Sequence, residues 1–242
     1  MKCIATSTLA LLLCSISLCS FSQTQFSGWG ASFNTLKLNR KFGIHYEAQF
    51  RSSDQWQHLG TLLLRTGLNY SVKKNIIATA GYGYIHNRRV INGISGYAPE
   101  HRLFEQLIVS HPLAYTSLSH RFRLEQRFIG TFHTSGNNFH NDGNAYSNRL
   151  RYFFRTLLPI ATSSEFRRGP FFAIQNEIFV NIGDKSAVNG EFFDQNRAYG
   201  ALGYRFSTKV DAEFGYMNQY INGRDNVFTN NHIMQLAIYT RI

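Results

Sequence analysis

Residues 121–128 read Arg121-Phe122-Arg123-Leu124-Glu125-Gln126-Arg127-Phe128. At a period of two, Arg121, Arg123, Glu125 and Arg127 fall on one face, and Phe122, Leu124, Gln126 and Phe128 on the other. A helix would spread these charges around its circumference, whereas a strand gathers them on one side. Charges on one face need water or partners, because an unpaired buried charge is costly. The opposite face needs an apolar surrounding. A strand that is polar within and apolar without fits a transmembrane β-barrel, where lipid takes the place of a core.

The pattern recurs outward from this stretch. Ile44, Tyr46, Ala48 and Phe50 alternate with His45, Glu47, Gln49 and Arg51. Leu62, Leu64, Leu68 and Tyr70 oppose Arg65, and Gly81 and Gly83 alternate with Tyr82 and Tyr84. Arg149, Arg151 and Arg155 oppose Leu150, Tyr152 and Phe154. Phe172, Ile174, Ile178 and Val180 oppose Gln175, Glu177 and Asn181; Arg197, Gly203 and Arg205 share a side of the next segment. Glu213, Gly215 and Gln219 then oppose Phe214, Tyr216 and Tyr220, and a last strand covers 232–242. The segment 100–106 has no clear facing, since both parities carry polar and apolar residues.

Trp29 to Phe33 makes a short first strand, which brings the candidates to eleven. Segments of about nine to twelve residues span a bilayer when tilted. The polar stretches 88–99, 133–147, 183–195 and 222–231 read as loops between them. The expected fold is therefore all-β, an antiparallel up-and-down transmembrane barrel of about ten to twelve strands. An even number is usual for such barrels, so either the Trp29 segment is not a full member or a strand is missing from the count.

The N-terminus bears on the compartment. Lys2 precedes an apolar run from Leu9 to Leu18, with small residues at Ser20 and Ser22, which is a secretory signal with its cut after Ser22. Domain limits of 1–22 for the signal and 23–242 for the barrel follow. Cys3, Cys14 and Cys19 all lie in the leader. A lipoprotein cut before Cys14 or Cys19 would place Leu13 or Leu18 where a small residue is preferred. Otherwise the exported chain has no disulfide or thiolate chemistry. The charge is +11, of which Lys2 supplies one. For an exported chain this points to lipopolysaccharide phosphates and small anionic solutes, with nucleic acid as no partner.

Glu100-His101-Arg102 with Glu105-Gln106, Arg123 to Phe128, Arg149-Leu150-Arg151-Tyr152, Glu177 to Asn181, and Gln195-Asn196-Arg197 resemble an uncharacterised family of Gram-negative outer-membrane proteins, known as a domain of unknown function. The resemblance spans nearly all of the chain after the leader. It implies an outer-membrane β-barrel, located in a Gram-negative outer membrane, and carries no activity onto any residue.

The candidate site is the polar face itself, a lumen network of Arg121, Arg123, Glu125, Arg127, Arg149, Arg151, Arg155, Glu177, Arg197 and Arg205. One role is a pore lining that favours anions. The other is packing, with arginines and glutamates pairing across a lumen little wider than its side chains. His133-Thr134-Ser135 places a base and a hydroxyl on one strand face, as an outer-membrane lipid hydrolase would need. However, its parity is that of the lumen arginines, and Gly136 starts a turn-like run. The remaining histidines show no metal-ligand spacing. Gly81-Tyr82-Gly83 has no following helix or lysine to hold a phosphate. The reading is a non-enzymatic channel or structural barrel with no cofactor. A lipid hydrolase and a soluble exported binding protein are the alternatives.

Overall fold

The computed structural model describes residues 22–113, 116–136, 138–160, 166–225 and 227–242. The leader, its three cysteines and the cut assigned to it fall outside these residues, save that the first strand already begins at Ser22. The described residues contain no helix and eleven strands: β1 Ser22–Lys37, β2 Phe42–Ser53, β3 His58–Lys73, β4 Ile76–Ile91, β5 Ile94–Leu113, β6 Thr116–Ser135, β7 Asn138–Pro159, β8 Gly169–Ile182, β9 Phe193–Ser207, β10 Val210–Asn222 and β11 Phe228–Arg241. Consecutive strands pair antiparallel, and β11 returns to β1 to close the barrel.

The odd count has a simple geometry. Strands that reverse direction at every turn leave the first and the eleventh pointing the same way. Their pairing is therefore parallel, with Trp29 opposite Gln235 and Ala31 opposite Ala237. β1 is thus a full member of the wall, and it bonds to β2 on its other side. The C-terminus completes the seam, with Lys37 N donating to Ile242 O at 2.6 Å and Ile242 N to Thr35 O at 2.9 Å.

Side chains alternate across the wall as a period of two requires. Phe50, Leu68, Leu202, Phe214 and Leu236 are all more than half exposed on the outside. Such a surface would be an aggregation hazard in water. Tyrosine–histidine pairs join them there, Tyr82 with His101 and Tyr216 with His232, each at 2.5 Å.

Three expectations change. The strands run from 12 to 22 residues, longer than bilayer crossing needs. The stretches 88–99 and 133–147 are not loops: Arg88 pairs with Tyr97 and His133 with His140, and the strands give way only at 92–93 and at Gly136 among the described residues. Likewise β9 starts at Phe193 and β11 at Phe228, inside stretches read as loop. The physical reason is common to all. A hairpin standing in water on both faces has no apolar side, so its alternation vanishes from the sequence while its backbone ladder persists.

The segment 100–106 also resolves. Glu100, Arg102, Phe104 and Gln106 point inward and are buried, while Leu103, Glu105 and Leu107 are exposed outward. Phe104 takes its interior place because Gly81 lies beneath it; a Cβ there would come within 2.5 Å of the ring. Glu105, polar on the outer wall, accepts a bond from Gln126 Nε2 at 3.0 Å.

Candidate functional site

The inward faces of β2, β3, β5, β6, β7 and β8 converge on Glu125, which is fully buried. Arg149 approaches it through Nε and Nη2 at 3.1 and 2.7 Å, and Arg151 through Nη1 at 2.5 Å. Arg65, Arg102 and Arg123 stand at 3.6, 3.7 and 3.8 Å. One carboxylate thus faces five guanidinium groups. Its neighbours divide the remaining charge: Glu177 accepts from Arg121 at 2.7 Å and from Arg151 at 3.0 and 2.7 Å. Glu100 takes Arg102 and Arg127, and Glu47 takes Arg65. Charge-assisted bonds of this length satisfy groups that an apolar environment cannot.

The residues singled out from sequence fall into four groups. Arg121, Arg123, Glu125, Arg127, Arg149, Arg151 and Glu177 come together around Glu125, with Arg123 held mainly by Gln106 at 2.9 and 2.6 Å. Arg155 stands apart, bonded to Gln175 and to both oxygens of Glu213. Arg205 lies toward the short-turn end, paired with Asp211, which also receives Arg241. Arg197 has no carboxylate within ion-pair distance among the described residues.

The sequence reading missed Glu47, Arg51, Arg65, Glu100, Arg102, Asp211 and Glu213 as members. Glu47, Arg51 and Arg65 were legible, since each shares the polar parity of its own segment. Glu100 and Arg102 were hidden by Glu105, whose outward charge blurs the parity of β5.

Charge does not fill the whole interior. Trp29, Phe171, Ala173, Tyr199, Ala201, Met217 and Ile233 form a buried apolar cluster on the inner faces of β1 and β8 to β11, with Leu157 and Phe166 packed against it. The rule of polar inside and apolar outside fails there. Gly203 makes room for Phe171, whose ring would lie 2.3 Å from a Cβ at that position.

Two cavities enter the barrel. One, about 400 Å³, is reached from the short-turn end past Thr35, His45 and Ser119. The other, about 390 Å³, opens among Ser53, Asn87, Arg89 and Ile221 at the opposite end. Both are lined by Trp29, Arg51 and Arg102.

His133 and Ser135 sit near the tip of the β6–β7 hairpin, both exposed. His133 Nδ1 lies 2.6 Å from Asp142 Oδ1, and no hydrogen bond joins His133 to Ser135 among the described residues.

The chain is thus a closed all-β barrel, and comparison with known proteins gives its family. Residues 26–230 match the family described as Protein of unknown function (DUF2490), and the chain belongs to it. No curated protein matches the chain. Among solved structures it is similar to one described as the NanC porin in a rhombohedral crystal form, at 13% identity and a TM-score of 0.49, covering 84% of this chain and 92% of that one.

Proposed function

We propose that the protein is an outer-membrane barrel serving as a narrow channel with a preference for small anions, exported by its leader, and we assign it no enzymatic role. The observation that carries this reading is the pair of cavities entering from opposite ends, with Trp29, Arg51 and Arg102 lining both. Interior arginines outnumber interior carboxylates, so the passage presents a positive potential to a permeating ion. The apolar outer surface supports placement in lipid. The extended hairpins β4–β5 and β6–β7 and the segment 183–192 project at one end, with the turns at 74–75 and 208–209 at the other, which supports an orientation with those turns in the periplasm.

A structural barrel is the second reading, favoured by the Glu125 cluster and the apolar cluster, which between them occupy much of the lumen. Planar-bilayer recording on the refolded protein decides between them. Under a potassium chloride gradient the channel reading expects small unitary currents with a reversal potential displaced toward the chloride equilibrium value. A protein that inserts, migrates faster unheated than boiled on a denaturing gel, and passes no current would leave the structural reading standing.

A further inference from the structure

Nearly every arginine that faces the interior has a carboxylate within 4 Å, and the exceptions are neighbours. Arg51 directs Nε and Nη2 at one neutral acceptor, Gln49 Oε1, at 3.0 and 2.6 Å. Arg197 faces the amide of Gln219, whose oxygen accepts from Arg197 Nε and Nη2 at 3.2 and 3.1 Å when the amide is turned to match its donors. Neither forms an ion pair among the described residues. Both lie over the indole of Trp29, with Cζ at 4.0 Å for Arg51 and 5.2 Å for Arg197 from the ring centre. Both line the larger cavity, together with Gln195 and Gln235.

Two like charges at a partly dehydrated wall, bonded only to neutral acceptors and lying on aromatic faces, with Arg197 also over Phe179 at 4.7 Å, are costly to hold together. Elsewhere in this lumen carboxylates bond their arginines directly; here the nearest, Glu177 across the register from Arg197 and Glu47 on the strand of Arg51, are already bonded to Arg121, Arg151 and Arg65. An anion from solution completes the set. The guanidinium fork matches a carboxylate or phosphate in two parallel bonds, and amide side chains nearby can donate to a further oxygen.

We propose that Arg51, Arg197 and Trp29 form a binding site for a small oxyanion, a carboxylate or phosphate group, on the lining of the larger cavity. The site rests on the channel reading for its purpose, as the place where a permeating anion pauses, but its existence is measurable without any current.

The chain has two tryptophans, and Trp56 is exposed in the turn between β2 and β3. Trp56→Phe therefore leaves Trp29 as the single fluorophore. In detergent, sodium acetate and sodium phosphate are titrated into this variant against sodium chloride at matched ionic strength. A saturable change in Trp29 emission with acetate, phosphate or both, absent with chloride, is expected; which salt acts names the oxyanion. Arg51→Gln and Arg197→Gln in the same background should each weaken binding roughly tenfold. Arg51→Lys, which keeps the charge and loses the fork, should fall between. Each variant must keep its fast-migrating unheated band, and one that does not is replaced by the lysine form. A response that is linear, or the same with chloride, or unmoved by both glutamine variants, overturns the site. Saturable binding in a barrel that passes no current would overturn the channel and keep the site; current without saturable binding would do the reverse.

Discussion

The interior of this barrel is filled in two ways. On the side of β2, β3 and β5 to β8 it holds a carboxylate ringed by arginines. On the side of β8 to β11 and β1 it holds a small apolar core. Both exclude water from a lumen too wide for its backbone alone to close. They differ in how their parts depend on one another. The apolar cluster can lose an atom and settle, since dispersion contacts carry no sign. The charged cluster cannot, because Glu125 is the one carboxylate that all five arginines around it share.

The comparison predicts its own largest effect. Glu125→Gln keeps the shape of the side chain and removes the charge. Arg149 and Arg151 then each lose one of two carboxylate partners, keeping only Asp194 and Glu177, and Arg65, Arg102 and Arg123 lose part of the field that offsets their mutual repulsion. Stranding the partners of a buried ion typically costs about 3–5 kcal/mol, and the involvement of several arginines places this variant at the upper end. Urea unfolding in detergent, followed by gel migration, measures it. A loss below about 1 kcal/mol would mean that water already neutralises the cluster, and the contrast between the two sectors would collapse.

A somewhat smaller loss is expected for Phe171→Ala. The ring is fully buried, and truncations of this kind cost about 3–5 kcal/mol, least where neighbours can collapse. Here Phe166 stands edge-on at 6.0 Å and can move in, so the lower end applies. The same unfolding assay checks the order of the two variants. If Phe171→Ala proved the more damaging, the apolar cluster would be the true keystone of the lumen.

The two sectors also differed in how plainly they could be read. Arg121 to Phe128 announces a two-faced strand because charge and grease are as unlike as side chains can be. Phe171-Phe172 and Ile178-Phe179-Val180 are apolar on both faces, so parity carries no contrast, and nothing local says which ring turns inward. The large inward residue is settled by its neighbours across the wall, Gly203 for Phe171 and Gly81 for Phe104, and those pairings come from register rather than from adjacent sequence. Eleven candidate segments were legible, but not that all eleven join the wall, which took the parallel seam of β1 with β11 to show. The unpaired arginines were not legible as such, because a missing partner is a property of eleven strands together.

The smallest effect is expected from the same kind of contact placed outside the wall. His133 and Asp142 meet at 2.6 Å, as close as the tightest pairs around Glu125, yet both are largely exposed near the tip of the β6–β7 hairpin. Water and salt screen an ion pair there, and such pairs contribute about 0–1 kcal/mol. His133→Ala should therefore shift stability by less than about 0.5 kcal/mol, and so should Ser135→Ala. The same two variants address the hydrolase alternative. Asp142 orients His133 as an acid would in a triad, but His133 and Ser135 share no bond, so hydrolysis of a phospholipid in mixed micelles should be at background for the parent and unchanged in both variants. Turnover in the parent that both substitutions abolish would make the hairpin a catalytic site. Distance alone would then be a poor guide to what an ion pair does in this molecule, and enclosure by the barrel wall would cease to be the dividing line.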